Sequence, residues 1–162
     1  MREVQHFCQP WLWVLVVLLA ALSWYSFVVQ IFMRRPVGDH PAPDVVVVLV
    51  CLIFGVGAVV FFWRARLITE VRPDGLYVRF VPFHGRYKRY AFSTIRGFEA
   101  CTYRPLWEYG GWGIRYGRNG KAYNVSGNRG LQLEFTAGKR LLIGSQQPEA
   151  LVRAMQEASG RR

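Results

Sequence analysis

Two uninterrupted apolar stretches dominate the first part of the chain. Trp11–Met33 is 23 residues long and Val45–Trp63 is 19 residues long, and neither stretch contains a charged side chain. A helix rises about 1.5 Å per residue, so about 20 apolar residues cross the hydrocarbon core of a bilayer. Backbone hydrogen bonds must be satisfied within the segment in lipid, which favours helices. The pattern therefore predicts two transmembrane helices, over about residues 11–33 and 45–63.

The connector Arg34–Asp44 contains three prolines, which disfavour a helix there. Its short length predicts an antiparallel hairpin, and we assign residues 1–66 to this transmembrane hairpin. Lys and Arg concentrate on the cytoplasmic side of membrane helices. More of them flank the outer ends of the hairpin than the connector, although Arg34 and Arg35 oppose that count. The sequence predicts an integral protein of the plasma or inner membrane with both termini in the cytoplasm.

From Leu67 onward the apolar positions recur with a period of two, which indicates β-strands. Turn signals such as Pro73-Asp74-Gly75 and Asn119-Gly120 separate the strands. About seven short strands are expected, followed by an amphipathic helix over residues 148–159 with Leu151 and Met155 on its apolar stripe. Residues 67–162 are therefore expected to form one domain, a small barrel or sandwich closed by the helix.

The net charge of +11 lies entirely between Arg64 and Arg162, where 18 basic residues face 7 acidic ones. A basic domain beside a membrane suits anionic lipid headgroups or an acidic partner. Nucleic acid is the other usual partner of such charge, but membrane anchoring argues against it. The cysteines Cys8, Cys51 and Cys101 show no disulfide or metal-binding spacing.

Several short motifs after residue 100 resemble those of a known group. They are Gly110-Gly111-Trp112-Gly113-Ile114-Arg115, Tyr123-Asn124-Val125-Ser126-Gly127, Leu131-Gln132-Leu133-Glu134, and Leu142-Ile143-Gly144-Ser145 with Pro148-Glu149. The likeness spans about Leu67–Ala158 and is to the largely uncharacterised bacterial pleckstrin-homology-like (PH-like) domains on small membrane proteins with one or two N-terminal spans. The resemblance implies an α+β membrane protein whose soluble part is a mainly-β, seven-stranded bent barrel closed by a C-terminal helix.

Members of such folds generally bind lipids, peptides or proteins, and some assemble into rings, although a fold alone does not establish a function. Phosphoinositide-binding members of the wider fold use a basic first hairpin loop. The corresponding loop here, Pro73-Asp74-Gly75, is short and carries an acid. The resemblance therefore does not extend to inositol-lipid recognition.

Groups suited to catalysis are scarce in the sequence. His6, His40 and His84 are the only histidines, and the first two lie at opposite ends of the first predicted helix. The sequence contains no HExxH, no GxSxG and no complete phosphate-binding loop. We expect no enzymatic activity, no catalytic residue, no metal and no cofactor.

The segment Trp107–Arg118 combines aromatic residues, arginines and glycines. Aromatic residues and arginine are enriched at interface hot spots, and glycine lets a partner backbone approach closely. The alternative is that the aromatic side chains close the core and the glycines form turns, and a mixture of both is expected. The candidate partner-binding residues are Trp107, Tyr109, Trp112, Arg115 and Arg118.

A second set of residues is basic and lies near the hairpin or in the following strands. It suggests a collar against anionic lipid, with ordinary positive-inside anchoring and solvated strand faces as the alternative. The candidate lipid-facing residues are Arg64, Arg66, Arg86, Lys88 and Arg89.

These features together predict a membrane-anchored, non-enzymatic binding or scaffold module that presents a cytoplasmic PH-like domain to a protein partner or to a second copy of itself. Two alternatives remain open. In the first, the domain is a sensor of anionic lipid. In the second, the protein is an accessory subunit of a membrane transport complex that assembles through its helices.

Overall fold

The computed structural model describes residues 1–38, 40–117 and 120–160. The chain forms two compact units. A helical unit comprises Cys8–Arg64, and a β unit comprises Met1–Phe7 together with Ala65–Arg162. This division differs from the expected boundary after residue 66, because the first seven residues belong with the strands.

The helical unit contains α1 (Pro10–Phe32) and α2 (Asp44–Arg64), which are long and apolar enough to cross a membrane by length and composition. The mean hydropathy of their most apolar windows is 2.3 and 3.2, and only 17% of each window is buried. Each helix includes a π-helical stretch, Val28–Phe32 in α1 and Cys51–Gly57 in α2. Because only a small share of each window is buried, most apolar side chains of both helices point out of the helical unit.

The two helices contact each other at a small residue. The Trp24 indole N–H donates to the carbonyl of Gly55 over 3.3 Å, and a β-carbon at Gly55 would lie 3.1 Å from the same indole nitrogen. The Gln30 amide donates to the carbonyl of Ala42 and to the Asp44 carboxylate, which ties the connector to α1. Glycine thus allows close helix packing at this position.

The β unit contains nine strands in its described part. They are β1 (Arg2–His6), β2 (Arg66–Arg72), β3 (Gly75–Val81), β4 (Lys88–Ala91), β5 (Ile95–Thr102), β6 (Gly113–Gly117), β7 (Gly120–Asn124), β8 (Arg129–Phe135) and β9 (Arg140–Gly144). A short helix α3 (Pro105–Tyr109) precedes β6, and α4 (Pro148–Ser159) ends the unit. The strands form a four-stranded sheet in the order β1-β2-β3-β4 and a five-stranded sheet in the order β5-β8-β9-β7-β6.

The expected closed barrel of seven strands is wrong for the described residues, which form two sheets. Alternating apolar positions locate strands but do not determine how they pair. The pairing of β7 with β9 is parallel, with Lys121 opposite Leu141, and β8, the strand between them in sequence, lies on the other side of β9. That crossover leaves no signal in the hydrophobic pattern.

Strand β1 was not expected from the sequence, because its residues Arg-Glu-Val-Gln-His are mostly polar. It pairs antiparallel with β2, with His6 opposite Arg66. Its inward side chains reach the turn after β9, where the buried Gln5 amide donates to the Gly144 carbonyl over 2.7 Å. The Glu3 carboxylate accepts from the Ser145 hydroxyl and the Gln146 backbone N–H. Polar contacts, rather than apolar ones, therefore hold β1 in place.

One core is shared by both sheets and α4. In β3 the alternation buries Leu76, Val78 and Phe80, and α4 adds Leu151 and Met155, all at most 1% exposed. The β8 and β9 strands contribute Leu131, Leu133 and Ile143 to the same cluster. Burying each such side chain contributes about 1.5–3 kcal/mol. The C-terminal helix therefore closes the β unit, as the sequence predicts.

Candidate functional site

Four exposed residues on α3 and on the two faces of β6 make up what we call the aromatic surface: Leu106, Trp107, Arg115 and Tyr116. Trp107 is 88% exposed, Tyr116 is 76% exposed and Leu106 is 63% exposed. Arg115 is also exposed. It lies opposite Ala122, which is buried with Tyr109 of α3, whereas Tyr116, the next residue of the strand, points to the other face of the sheet. Exposed large apolar side chains are typical of sites of interaction.

Helix α3 is short and is defined by its ends. Pro105 starts it, as proline favours the first helical position. Gly110 ends it in the left-handed conformation at φ 70°, which glycine adopts without strain. The Glu108 carboxylate accepts the backbone N–H of Arg104 over 2.8 Å. These features hold the side chain of Trp107 on a fixed turn rather than on a loose loop.

The tyrosine of this segment faces inward. Tyr109 is only 5% exposed and packs edge-on against Tyr103, with ring centroids 6.0 Å apart. Burial raises the pKa of the Tyr109 hydroxyl. Gly117 lies against α3 so closely that a β-carbon there would overlap the Glu108 carbonyl. Tyr109 therefore anchors α3 to the sheet and is not a contact residue, because its ring fills a core position.

The remaining candidate residues of the segment are Trp112, Arg115 and Arg118. Trp112 is half-buried, and its indole N–H donates to the carbonyl of Gly127 over 3.1 Å. The Arg115 guanidinium donates to the carbonyl of Trp112. Arg118, together with Asn119 of the predicted hairpin turn, lies outside the described residues. Among the sequence candidates, the structure thus brings Trp107 and Arg115 to the aromatic surface.

Strand β6 lies at an edge of the five-stranded sheet, with β7 as its neighbour. Its register with β7 places Arg115 opposite Ala122 and Tyr116 opposite Lys121. An edge strand offers backbone donors and acceptors to a further strand. Leu106 and Tyr116 were not among the expected contact residues. The run of aromatic residues between residues 103 and 116 was the only signal for them.

A shallow groove of about 760 Å³ adjoins Tyr116 at the ends of the β6–β7 and β8–β9 hairpins. Its charged lining residues are Lys121, Glu134, Lys139 and Arg140. The Lys121 ammonium lies 4.9 Å from the centres of the Tyr116 and Tyr123 rings. The groove could not be predicted from the sequence. Its walls come from two separate hairpins, which the parallel pairing of β7 with β9 brings together.

The predicted basic collar is divided in the structure. Arg66 and Arg86 are exposed in the β unit, and Arg64 is exposed at the end of α2. Arg89 pairs instead with Asp74 over 3.1 Å, near the turn at the far end of β3. A hydrogen bond from Tyr77 and the nearby arginines hold the pKa of the Asp74 carboxyl below its usual value. Arg89 therefore does not belong with the other arginines, because an acid at the opposite end of the sheet holds it.

Lys88, the fifth member of that set, is an exposed residue whose ammonium belongs to a polar group around Tyr123. Its ammonium lies 3.4 Å from the hydroxyl of Tyr123, and the His84 ring packs edge-on against the same tyrosine. His84 Nδ1 accepts the backbone N–H of Phe80 over 3.1 Å. Burial, with Lys88 and Lys121 nearby, lowers the pKa of His84. This group links the β3–β4 loop to β7.

Residues suited to metal binding do not cluster in the described ranges. No group of three or more His, Cys, Asp or Glu side chains there is placed to hold a metal ion. The cysteines at 8, 51 and 101 are unbridged. What the described geometry offers is an exposed aromatic surface beside an open sheet edge.

The architecture defines a class of protein with an apolar helical hairpin inserted between two neighbouring strands of a mainly-β unit. The chain belongs to the family described as "Family of unknown function (DUF6141)", which it matches over residues 1–161. No curated protein and no solved structure matches the chain.

Proposed function

We propose that this protein is a membrane-anchored, non-enzymatic binding module that presents its β unit, in the cytoplasm, to a partner protein. The helical hairpin is the anchor, and both ends of the chain lie on the cytoplasmic side of the plasma or inner membrane. The PH-like resemblance is part of this proposal. A four-stranded sheet, a second sheet and a closing helix with one shared core support it.

The exposure of Trp107 carries the proposal. A tryptophan that is 88% exposed gains nothing from folding, yet its helix is held rigidly by Pro105, Gly110 and the buried Tyr109. Tryptophan, tyrosine and arginine are the residues most enriched at interface hot spots. A rigid surface also loses little conformational entropy on binding.

The edge of β6 supplies a mode of attachment. A partner segment in extended conformation adds to an exposed sheet edge through main-chain hydrogen bonds, while neighbouring side chains give specificity. Here the neighbouring side chains are those of the aromatic surface, and Lys121, Lys139 and Arg140 in the adjoining groove favour acidic residues in the partner. The excess of basic residues across the β unit also favours an acidic partner.

Co-purification from native membranes with a matched pair of variants tests this proposal. Trp107→Ala removes the exposed indole of the aromatic surface, and Val4→Ala shortens an apolar side chain that is 42% exposed elsewhere in the β unit. A hot-spot tryptophan contributes about 2 kcal/mol or more of binding free energy. We therefore expect a stoichiometric partner to be lost with Trp107→Ala and retained with Val4→Ala.

Other outcomes separate the alternatives. A complex that contains only this chain and becomes smaller with Trp107→Ala would identify the partner as a second copy, which makes the protein a scaffold. A complex whose composition and mass are the same in wild type and Trp107→Ala would contradict the proposed site.

A further inference from the structure

The charges of the four-stranded sheet are divided between its two ends. At the end formed by the β2–β3 turn, which we call the acid-paired end, Arg72 pairs with Glu70 and Arg89 pairs with Asp74. At the other end, which we call the basic end, residues 65–67 and 81–87 contain only basic charges, namely Arg66 and Arg86.

The basic end is the one from which the chain continues into the helices. Three residues separate the last residue of β1 from Pro10, and Ala65 alone separates Arg64 from β2. The register places Val81, the last residue of β3, opposite Arg66. The β3–β4 loop, residues 82–87, therefore lies at the same end of the sheet.

This loop is folded back on itself and still exposes an aromatic ring. The His84 N–H donates to the carbonyl of Phe80 over 2.7 Å, and the Arg79 guanidinium donates to the His84 carbonyl over 3.2 Å. Phe83 lies against the Phe80 ring at a centroid distance of 5.7 Å but remains 60% exposed. The loop thus presents Phe83 and Arg86 on a defined turn.

We infer that the β3–β4 loop contacts the surface of a bilayer that contains anionic lipid, with Phe83 inserted at the interface and Arg66 and Arg86 beside the headgroups. Aromatic rings are favoured at membrane interfaces, and basic residues are attracted to anionic headgroups. At the acid-paired end, by contrast, Arg72 and Arg89 are paired with Glu70 and Asp74. This inference rests on the proposed anchoring of the hairpin but not on the proposed partner site.

Spin-label depth measurements on the full-length protein in nanodiscs of mixed neutral and anionic lipid test this inference. Cys8, Cys51 and Cys101 are first replaced by serine or alanine. A label at Gly85→Cys reports on the loop, since a β-carbon at Gly85 meets nothing within 4 Å. Ser93→Cys is the matched control, because exposed Ser93 follows β4 at the acid-paired end. Val17→Cys, on an exposed position of α1, reports on the anchor.

We expect the oxygen-to-nickel accessibility ratio at position 85 to lie between the high ratio at position 17 and the low ratio at position 93. Adding Phe83→Ser or Arg86→Glu should shift position 85 towards the ratio of position 93. A low ratio at position 85 with a high ratio at position 17 would overturn the inference while leaving the anchoring intact. A low ratio at position 17 would overturn the anchoring, and with it this inference.

Discussion

The helical unit and the β unit are both rich in apolar residues but place them differently. In the β unit the apolar positions alternate with polar ones and point into a shared core, as Leu76, Val78 and Phe80 do in β3. In the helical unit the apolar residues surround both helices, and residues such as Leu18 are more than half exposed. The β unit therefore buries its apolar surface by folding, whereas the described helices of the helical unit leave most of theirs exposed and are long and apolar enough to cross a membrane.

The largest effect that this comparison predicts comes from the core. Phe80→Ala removes a side chain that is 1% exposed, and the lost burial and the resulting cavity should lower the free energy of unfolding by about 3–5 kcal/mol. Leu18→Ala, on an outward helix position, leaves no cavity in the fold. Denaturant unfolding of the β unit, followed by near-UV circular dichroism in detergent, measures both. Equal losses for the two variants would contradict the comparison.

A smaller effect is predicted for β1, which polar contacts hold. Gln5→Ala removes the donor to the Gly144 carbonyl, and loss of a buried hydrogen bond should cost about 1–3 kcal/mol. Val4→Ala, at an exposed position of the same strand, is the control. Denaturant unfolding followed by near-UV circular dichroism measures the loss of stability in both variants. If Val4→Ala were the more destabilising of the two, β1 would not be held as described.

The β3–β4 loop adds a dependence on pH. Because the pKa of His84 is lowered in the folded state, the unfolded chain binds more protons between the folded pKa and the ordinary value of 6.5. Stability from neutral His84 is complete above pH 6.5 and should decrease as the pH falls below it, since protonated Nδ1 no longer accepts the Phe80 N–H. His84→Asn keeps an acceptor but does not titrate. Unfolding midpoints from pH 7.5 to pH 5 should fall less in this variant; identical pH profiles would exclude His84 as the cause.

The smallest effect is expected at the acid-paired end of the four-stranded sheet. Arg89 and Asp74 are about half exposed, and exposed ion pairs contribute little to stability. Arg89→Ala should leave the unfolding midpoint within the spread of replicate measurements. It should also leave the depth of a label at position 85 unchanged, unlike Arg86→Glu. A change in that depth would show that the charges at the two ends of the sheet are not separate.

The positions of the three longer helices could be predicted from the sequence because they depend on local pattern, whereas the five-residue helix α3 was not predicted. The expected spans at 11–33 and 45–63 agree within one or two residues with α1 and α2, and the expected closing helix coincides with α4. Strand β1 could not be predicted, because contacts to Gly144 and Ser145, far away in sequence, hold it. The arrangement in two sheets depends on pairings that a period of two does not encode.

The candidate site was only partly predictable for a similar reason. Composition located the aromatic segment at Trp107–Arg118, but it did not distinguish the exposed Trp107 from the buried Tyr109 two positions later. On a five-residue helix, the packing of Gly117 against Glu108 decides which ring faces the core. The partners of Arg89 and Lys88 likewise depend on the register of β3 with β4 and on the packing of Tyr123.

The central claim is that the hairpin crosses the membrane and returns both of its ends to one sheet on the cytoplasmic side. The most direct test labels His40→Cys in the connector and Ser93→Cys in the β unit with a membrane-impermeant maleimide, each without the native cysteines. On intact cells, we predict labelling at position 40 and none at position 93 until the membrane is permeabilised. Equal accessibility of the two positions before permeabilisation, or labelling at position 93 alone, would contradict the claim.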